Sequence, residues 1–265
     1  MGIRKSRLVR ILLPSVLLLI CSCAMTAQTN STEINTWKTI LTPDSTLAKV
    51  GTLKDPVEAT LMARAALIAS GVPANRLATY ERKLKTVLDS IVAKAKTASE
   101  NAARAEAALV ELHTGGVFKH YEEEATTLID ILDKGTYNCV SSAVLYLLVL
   151  KNLGIQANGV DTPDHAFVIV DINGQKIDVE TTNRHGFNPG SKKDFTDEFG
   201  RVTGFSYVPP GEYAKREIIG QKVLVSLILS NRVVALEKKK DYPSSLKLGV
   251  EVNALRNDSK GKQFL

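Results

Sequence analysis

Cys139, His165, Asp178 and Glu180 stand in that order in the middle of the chain, and they are the residue types that acyl transfer by a thiol requires. Cys139 opens the apolar run CVSSAVLYLLVL, which reads as a helix. In a first helical turn the unpaired backbone N–H groups and the positive end of the dipole favour a thiolate, the reactive form of cysteine. His165 begins the strand-like stretch HAFVIV, and Asp178 lies in GQKIDVETT, joined to it by the hairpin signal Asn173-Gly174. Cross-strand neighbours sit about 5 Å apart, so an imidazole and a carboxylate on these strands can hydrogen-bond. The imidazole then manages the protons, and the carboxylate fixes its tautomer and orientation. Asp178 is the first choice for that carboxylate. Glu180 shares its strand face at period two and takes the role if the register differs by one step.

Other residues of the same types have simpler readings. Ser141 and Ser142 suit a helix N-terminus. His113 and His120 fall near helix ends, where histidines cap, and His185 lies in the surface-like loop NRHGFNPG. Asp171-Ile172-Asn173-Gly174 has the first residues of a calcium loop but not the rest, and a hairpin turn explains it. No metal and no cofactor are expected. The competing reading of Cys139 is a small buried hydrophobe.

The stretch YNCVSSAVLYLLVLKNLGI, followed by DHAFVIV and then GQKIDVETT, resembles the transglutaminase-like, papain-related superfamily over about residues 114–182. The resemblance is closest to bacterial members with Asp-Val-Glu-Thr-Thr after the histidine strand and tetratricopeptide-like helices behind. It implies an α+β fold, with a cysteine-led helix on an antiparallel sheet and helical additions at both ends. It also implies Cys139 as nucleophile, His165 as base and acid, and Asp178 as the orienting residue. Two features depart from relatives. Val140 follows the cysteine where cross-linking transglutaminases have tryptophan, which favours peptide or amide hydrolysis over cross-linking. Asp133 stands where papain-like peptidases place their oxyanion glutamine, so Asn138 and the Cys139 backbone N–H are the nearest substitutes.

The elements that must position these residues follow from periodicity. Residues 46–113 read as helical, with Val57, Leu61, Ala65 and Ile68 at helix spacing and a break at Gly71-Val72-Pro73. A short helix over 121–132 leads to a C-cap at Lys134-Gly135. The transglutaminase-like core is expected over 114–210, with strands at 157–160, 165–170 and 176–180. Residues 211–265 read as two helices, about 215–238 and 243–256. These resemble one tetratricopeptide-like pair, which is too few repeats for a solenoid and so packs on the core or binds a protein partner.

Arg4, Lys5, Arg7 and Arg10 precede an apolar run from Ile11 to Ile20, the layout of a secretory signal. Ile20-Cys21-Ser22-Cys23 resembles a bacterial lipobox with Cys23 as the lipidated residue. Residues 1–22 then read as a lipoprotein signal and 23–45 as a flexible tether, rich in Asn, Ser and Thr. With Cys21 removed and Cys23 lipidated, Cys139 has no disulfide partner. The formal charge of +6 falls to +2 once the four basic residues of 1–22 are gone. Lys238, Lys239 and Lys240 then read as a solvated face, and nucleic acid is excluded as a partner. The expectation is a lipid-anchored cysteine enzyme of a bacterial cell envelope, periplasmic or surface-exposed, acting on a peptide or protein. A non-catalytic papain-like binding module is the alternative.

Overall fold

The computed structural model describes residues 31–189 and 215–258, with side chains from 36 onward. Two expectations fall outside that range in whole: the signal segment and Cys23. Helix α1 spans Ser31–Leu41 and lies largely in a first unit that ends at Thr39. It replaces most of the expected flexible tether. Its Asn, Ser and Thr content suggested a linker, yet Trp37, Ile40 and Leu41 recur at helix spacing.

The second unit begins at Ile40. Helix α2 (Ser45–Thr52) is capped by Asp44, whose Oδ1 accepts from the N–H groups of Thr46 and Leu47 at 2.7 and 3.2 Å. Helix α3 (Ala59–Ala69) ends before the break at Gly71-Val72-Pro73. The segment beyond is two helices, α4 (Leu77–Ala95) and α5 (Asn101–Thr114), parted by a polar turn over residues 96–100.

The expected helix over 121–132 shrinks to its C-terminal half. Strand β1 (His120–Tyr121) comes first, Glu122–Glu124 form a turn, and α6 covers Leu128–Lys134. Thr127 and Asp130 explain the late start, because they form a capping box with each other's backbone N–H groups. Strand β2 (Thr136–Tyr137) pairs with β1 in parallel and runs directly into α7 (Cys139–Leu153).

Strands β3 (Gln156–Asp161), β4 (Ala166–Ile172), β5 (Gln175–Val179) and β6 (Glu217–Ile219) form one antiparallel sheet in the order β5-β4-β3-β6. Asn173 and Gly174, with φ of 55° and 84°, make the expected two-residue turn between β4 and β5. Strand β6 stands where helix was expected from residue 215. The β-branched pair Ile218-Ile219 favours a strand, and Gly220 starts α8 (Gln221–Lys238). Helix α9 (Tyr242–Arg256) follows a cap by Asp241.

Helix α7 is the centre of the body. Residues 140–150 are all buried, and the helix meets α3, α4, α5, α8, β3 and β4. A helix that is apolar all round must be interior. Its one buried polar ring atom is satisfied, since the Tyr146 hydroxyl donates to the Ala105 carbonyl at 2.9 Å. Packing on every side fixes its rotation, and with it the direction in which its first residue, Cys139, points. Val160, Phe167 and Ile169 form a smaller buried cluster on the other face of the sheet.

Helices α8 and α9 pack on the core. Helix α8 meets α3, α7 and β3, while α9 lies on α2, where the Asp44 N–H donates to Glu251 Oε2 at 2.8 Å. Among the described residues no helix is long and apolar enough to cross a membrane. The observed class is α+β, a helix-rich body around a small antiparallel sheet.

Candidate active site

The helix that Cys139 opens is started by a tight network. Asn138 Oδ1 accepts from the N–H groups of Val140 and Ser141 at 3.0 and 3.1 Å. Ser141 Oγ accepts from the Asn138 N–H at 2.9 Å and donates to the Ala125 carbonyl at 2.7 Å. The Asn138 side-chain amide donates to the Glu123 carbonyl at 2.8 Å. Asn138 is therefore a buried cap, and its amide is engaged away from any substrate. That corrects its expected use as an oxyanion donor. Cys139 is the first helical residue and is partly exposed. Its own backbone N–H has no intrahelical acceptor by position, so it remains a donor at the thiol.

His165 is placed by the tight turn between β3 and β4. The Thr162 N–H and hydroxyl both donate to the His165 carbonyl at 2.9 Å. Its ring lies nearly parallel to Phe167, with centroids 6.2 Å apart. On one side Nε2 bonds Glu180 Oε2 at 2.5 Å, with both residues buried. The Cys139 thiol is near enough to act on the imidazole, and it is among the groups that raise the ring's pKa. Burial works against a charged ring, but the Glu180 charge, Cys139 and the bond with Glu180 outweigh it. The His165 pKa is raised far above its ordinary value. The Glu180 charge therefore favours the charged form of the ring.

The carboxylate at His165 is Glu180, where Asp178 was expected. The two-residue turn pairs Ile172 with Gln175 and hence Ile169 with Asp178. Asp178 thus lies four residues along β4 from His165, about 13 Å away at 3.3 Å per residue. There it pairs with Arg216, through Nη1 at 2.8 Å and a second contact at Nη2. The Arg216 guanidinium also lies over the Phe167 ring. Asp178 ties the far edge of the sheet to β6 and does not touch the imidazole.

Glu180 is held by the loop that follows β5. Its Oε1 accepts from the Thr182 hydroxyl and N–H at 2.8 and 3.2 Å, so both oxygens are engaged and the carboxylate cannot rotate. The loop folds back so that the Glu180 N–H reaches the Gly186 carbonyl at 2.8 Å. A side chain at Gly186 would put Cβ 1.9 Å from the Glu180 carbonyl oxygen, which is why glycine stands there.

Several residues join this loop to the helix that Cys139 opens. Ser142, one turn into α7, shares a hydrogen bond of 2.8 Å with Thr181. Tyr137, two residues before Cys139, donates its hydroxyl to the Thr182 carbonyl at 3.3 Å. His113 Nε2 donates to the Thr181 carbonyl at 3.1 Å, and burial lowers its pKa to about 4. It is a neutral support. His120 is exposed on β1, and His185 accepts from Arg184 Nε in the loop. Asp133, at the oxyanion glutamine's distance, instead binds the Tyr80 hydroxyl and Lys83, both at 2.6 Å. Among the described residues, no group of three or more His, Cys, Asp or Glu could hold a metal ion.

Residues 78–187 match the family model of the transglutaminase-like superfamily, and this part of the chain is similar to that superfamily. The match contains α7, β3, β4, β5 and the whole Cys139–His165–Glu180 constellation. No curated protein and no solved structure matches the chain.

Geometry ranks the two carboxylates. Glu180→Gln keeps the shape but removes the charge that sustains the imidazolium, so alkylation of Cys139 by iodoacetamide at pH 6 should slow at least about tenfold, one pKa unit's worth. Asp178→Asn should leave that rate within about twofold. Equal rates for both variants would show that the Glu180 charge does not reach the thiol.

Proposed function

We propose that the protein is a cysteine enzyme of acyl transfer in which Cys139, His165 and Glu180 form the triad. The observation that carries this reading is one buried imidazole bonded at 2.5 Å to Glu180, with the Cys139 thiol among the groups that raise its pKa. The Cys139 thiolate attacks an amide carbonyl, and the C=O pair moves to oxygen. Collapse breaks the C–N bond as His165 passes its proton to the departing amine, leaving a thioester. His165, now neutral, takes a proton from water as its oxygen attacks the thioester. The acid leaves, and the thiolate–imidazolium pair returns. Glu180 holds the ring in the tautomer that both steps need.

Water is the preferred acceptor in this reading, and peptides or proteins are the substrate class. Val140 is buried in the body, so the residue after the nucleophile offers no aromatic surface to the site. The chain is placed in a bacterial cell envelope, held by lipid on Cys23. That placement rests on the basic residues Arg4 to Arg10, the apolar run and Ile20-Cys21-Ser22-Cys23. The α8–α9 pair is the part most suited to a protein partner, on its tetratricopeptide-like sequence pattern.

The triad is tested by the rate of Cys139 alkylation against pH, read by mass spectrometry. Wild type should react at pH 6, because the ion pair supplies thiolate there. In His165→Ala the rate at pH 6 should fall at least tenfold and recover by pH 9, above the ordinary thiol pKa of about 8.5. Superimposable curves would contradict the pair and favour the binding-module reading. For the anchor, Cys23→Ala expressed in a bacterial host should move the protein from the detergent to the aqueous phase of a Triton X-114 partition. Unchanged partition would remove the lipid from this account.

A further inference from the structure

As a thiolate adds to a carbonyl carbon, the oxygen takes a full negative charge, and donors must already be in place for it. The Cys139 backbone N–H is one such donor. Asn138 is not another, because its amide serves the Glu123 carbonyl.

The strand pair in front of α7 carries a second candidate. Strand β1 lies parallel to β2 with Tyr121 opposite Tyr137, and the Glu122 N–H donates to the Tyr137 carbonyl at 2.9 Å. Directly opposed residues stand on the same face of a ladder. The direction of that face is set by Tyr137, whose hydroxyl reaches the Thr182 carbonyl beside Glu180. The Tyr121 ring meets Tyr137 edge-on, with centroids 6.0 Å apart. Tyr121 thus sits above Tyr137 on the triad side. Tyr137 is buried, whereas Tyr121 is only partly so, and among the described residues no hydrogen bond engages the Tyr121 hydroxyl. Burial, then the charges of Cys139 and Glu180, push its pKa above the ordinary phenol value. The hydroxyl therefore stays neutral and able to donate beside the thiol.

We infer that Tyr121 is the second oxyanion donor, its hydroxyl hydrogen-bonding the carbonyl oxygen of the acyl substrate as Cys139 adds to it. This rests on the acyl-transfer reading of the Cys139–His165–Glu180 site. It also gives β1 a function: a strand of two residues holds a phenol at the mouth of the site, in place of a glutamine just ahead of the nucleophile.

Two probes of the same thiol separate this role from any other. Iodoacetamide alkylates sulfur by displacing iodide and creates no oxyanion. In p-nitrophenyl acetate, the thiolate forms a C–S bond as the C=O pair moves to oxygen, and collapse then expels p-nitrophenolate to leave the acetyl thioester. Both reactions are read at Cys139 by mass spectrometry on wild type and Tyr121→Phe, which keeps the ring and its packing on Tyr137. The expected result is an unchanged alkylation rate, with acetylation slowed about 100-fold, the loss typical of one oxyanion donor. Acetylation within twofold of wild type would overturn the inference. Equal slowing of both reactions would also overturn it, because Tyr121 would then act on the thiolate. A wild type that alkylates readily but never acetylates would sink the acyl-transfer reading itself, a failure visible without the variant.

Discussion

The contact on which the site depends is the buried pair of His165 and Glu180, 2.5 Å apart. Two charges taken out of water lose solvation worth several kcal/mol each, and their attraction repays this only when the geometry is good and the remaining lone pairs are satisfied. Much of the nearby structure meets that condition. Thr182 fills the second carboxylate oxygen, the fold-back at Gly186 fixes the Glu180 backbone, and the Thr162 turn fixes the backbone of His165. Removing one member would leave the other buried and uncompensated. The pair is costly as a source of stability. In the proposed enzyme its use is to keep an imidazole charged beside a thiol.

The thiol arrives from a different element, held by a different force. Helix α7 is fixed by apolar packing on all sides, each fully buried Leu or Val contributing about 1.5–3 kcal/mol of transfer free energy. The Asn138–Ser141 box then sets where the helix begins, and so which residue sits in its first turn. The Ser142–Thr181 bond joins this rigid helix to the Glu180 loop. The thiol, the imidazole and the carboxylate thus lie on three segments whose relative positions are set by packing, a turn and a loop.

Much of this was legible in the sequence. The cysteine-led helix, its glycine end at Gly154, the Asn173-Gly174 turn and three of the four strands of the antiparallel sheet follow from periodicity and turn chemistry. The choice of carboxylate was also within reach, because a two-residue turn fixes the register: counting outward from it puts Asp178 opposite Ile169 and Glu180 opposite Phe167, two residues nearer His165. Residue type favoured Asp178, and register overrides type. Other features had no local signal. Arg216 finds Asp178 only once β6 joins the sheet, and strand β1 is two residues long with no alternation to read. The Asn/Ser/Thr content around α1 hid apolar residues at helix spacing.

The central claim is that His165 is charged where an ordinary histidine is not. The direct measurement is the ring-nitrogen chemical shift of His165 by NMR on ¹⁵N-histidine-labelled protein between pH 5 and 9, assigned by the signal missing in His165→Ala. The account predicts that both ring nitrogens stay protonated through pH 8, since the Glu180 charge and Cys139 hold the pKa well above the ordinary value. A titration centred near the unperturbed value of about 6.5 would contradict it, and Cys139 would then be a thiol without a standing partner.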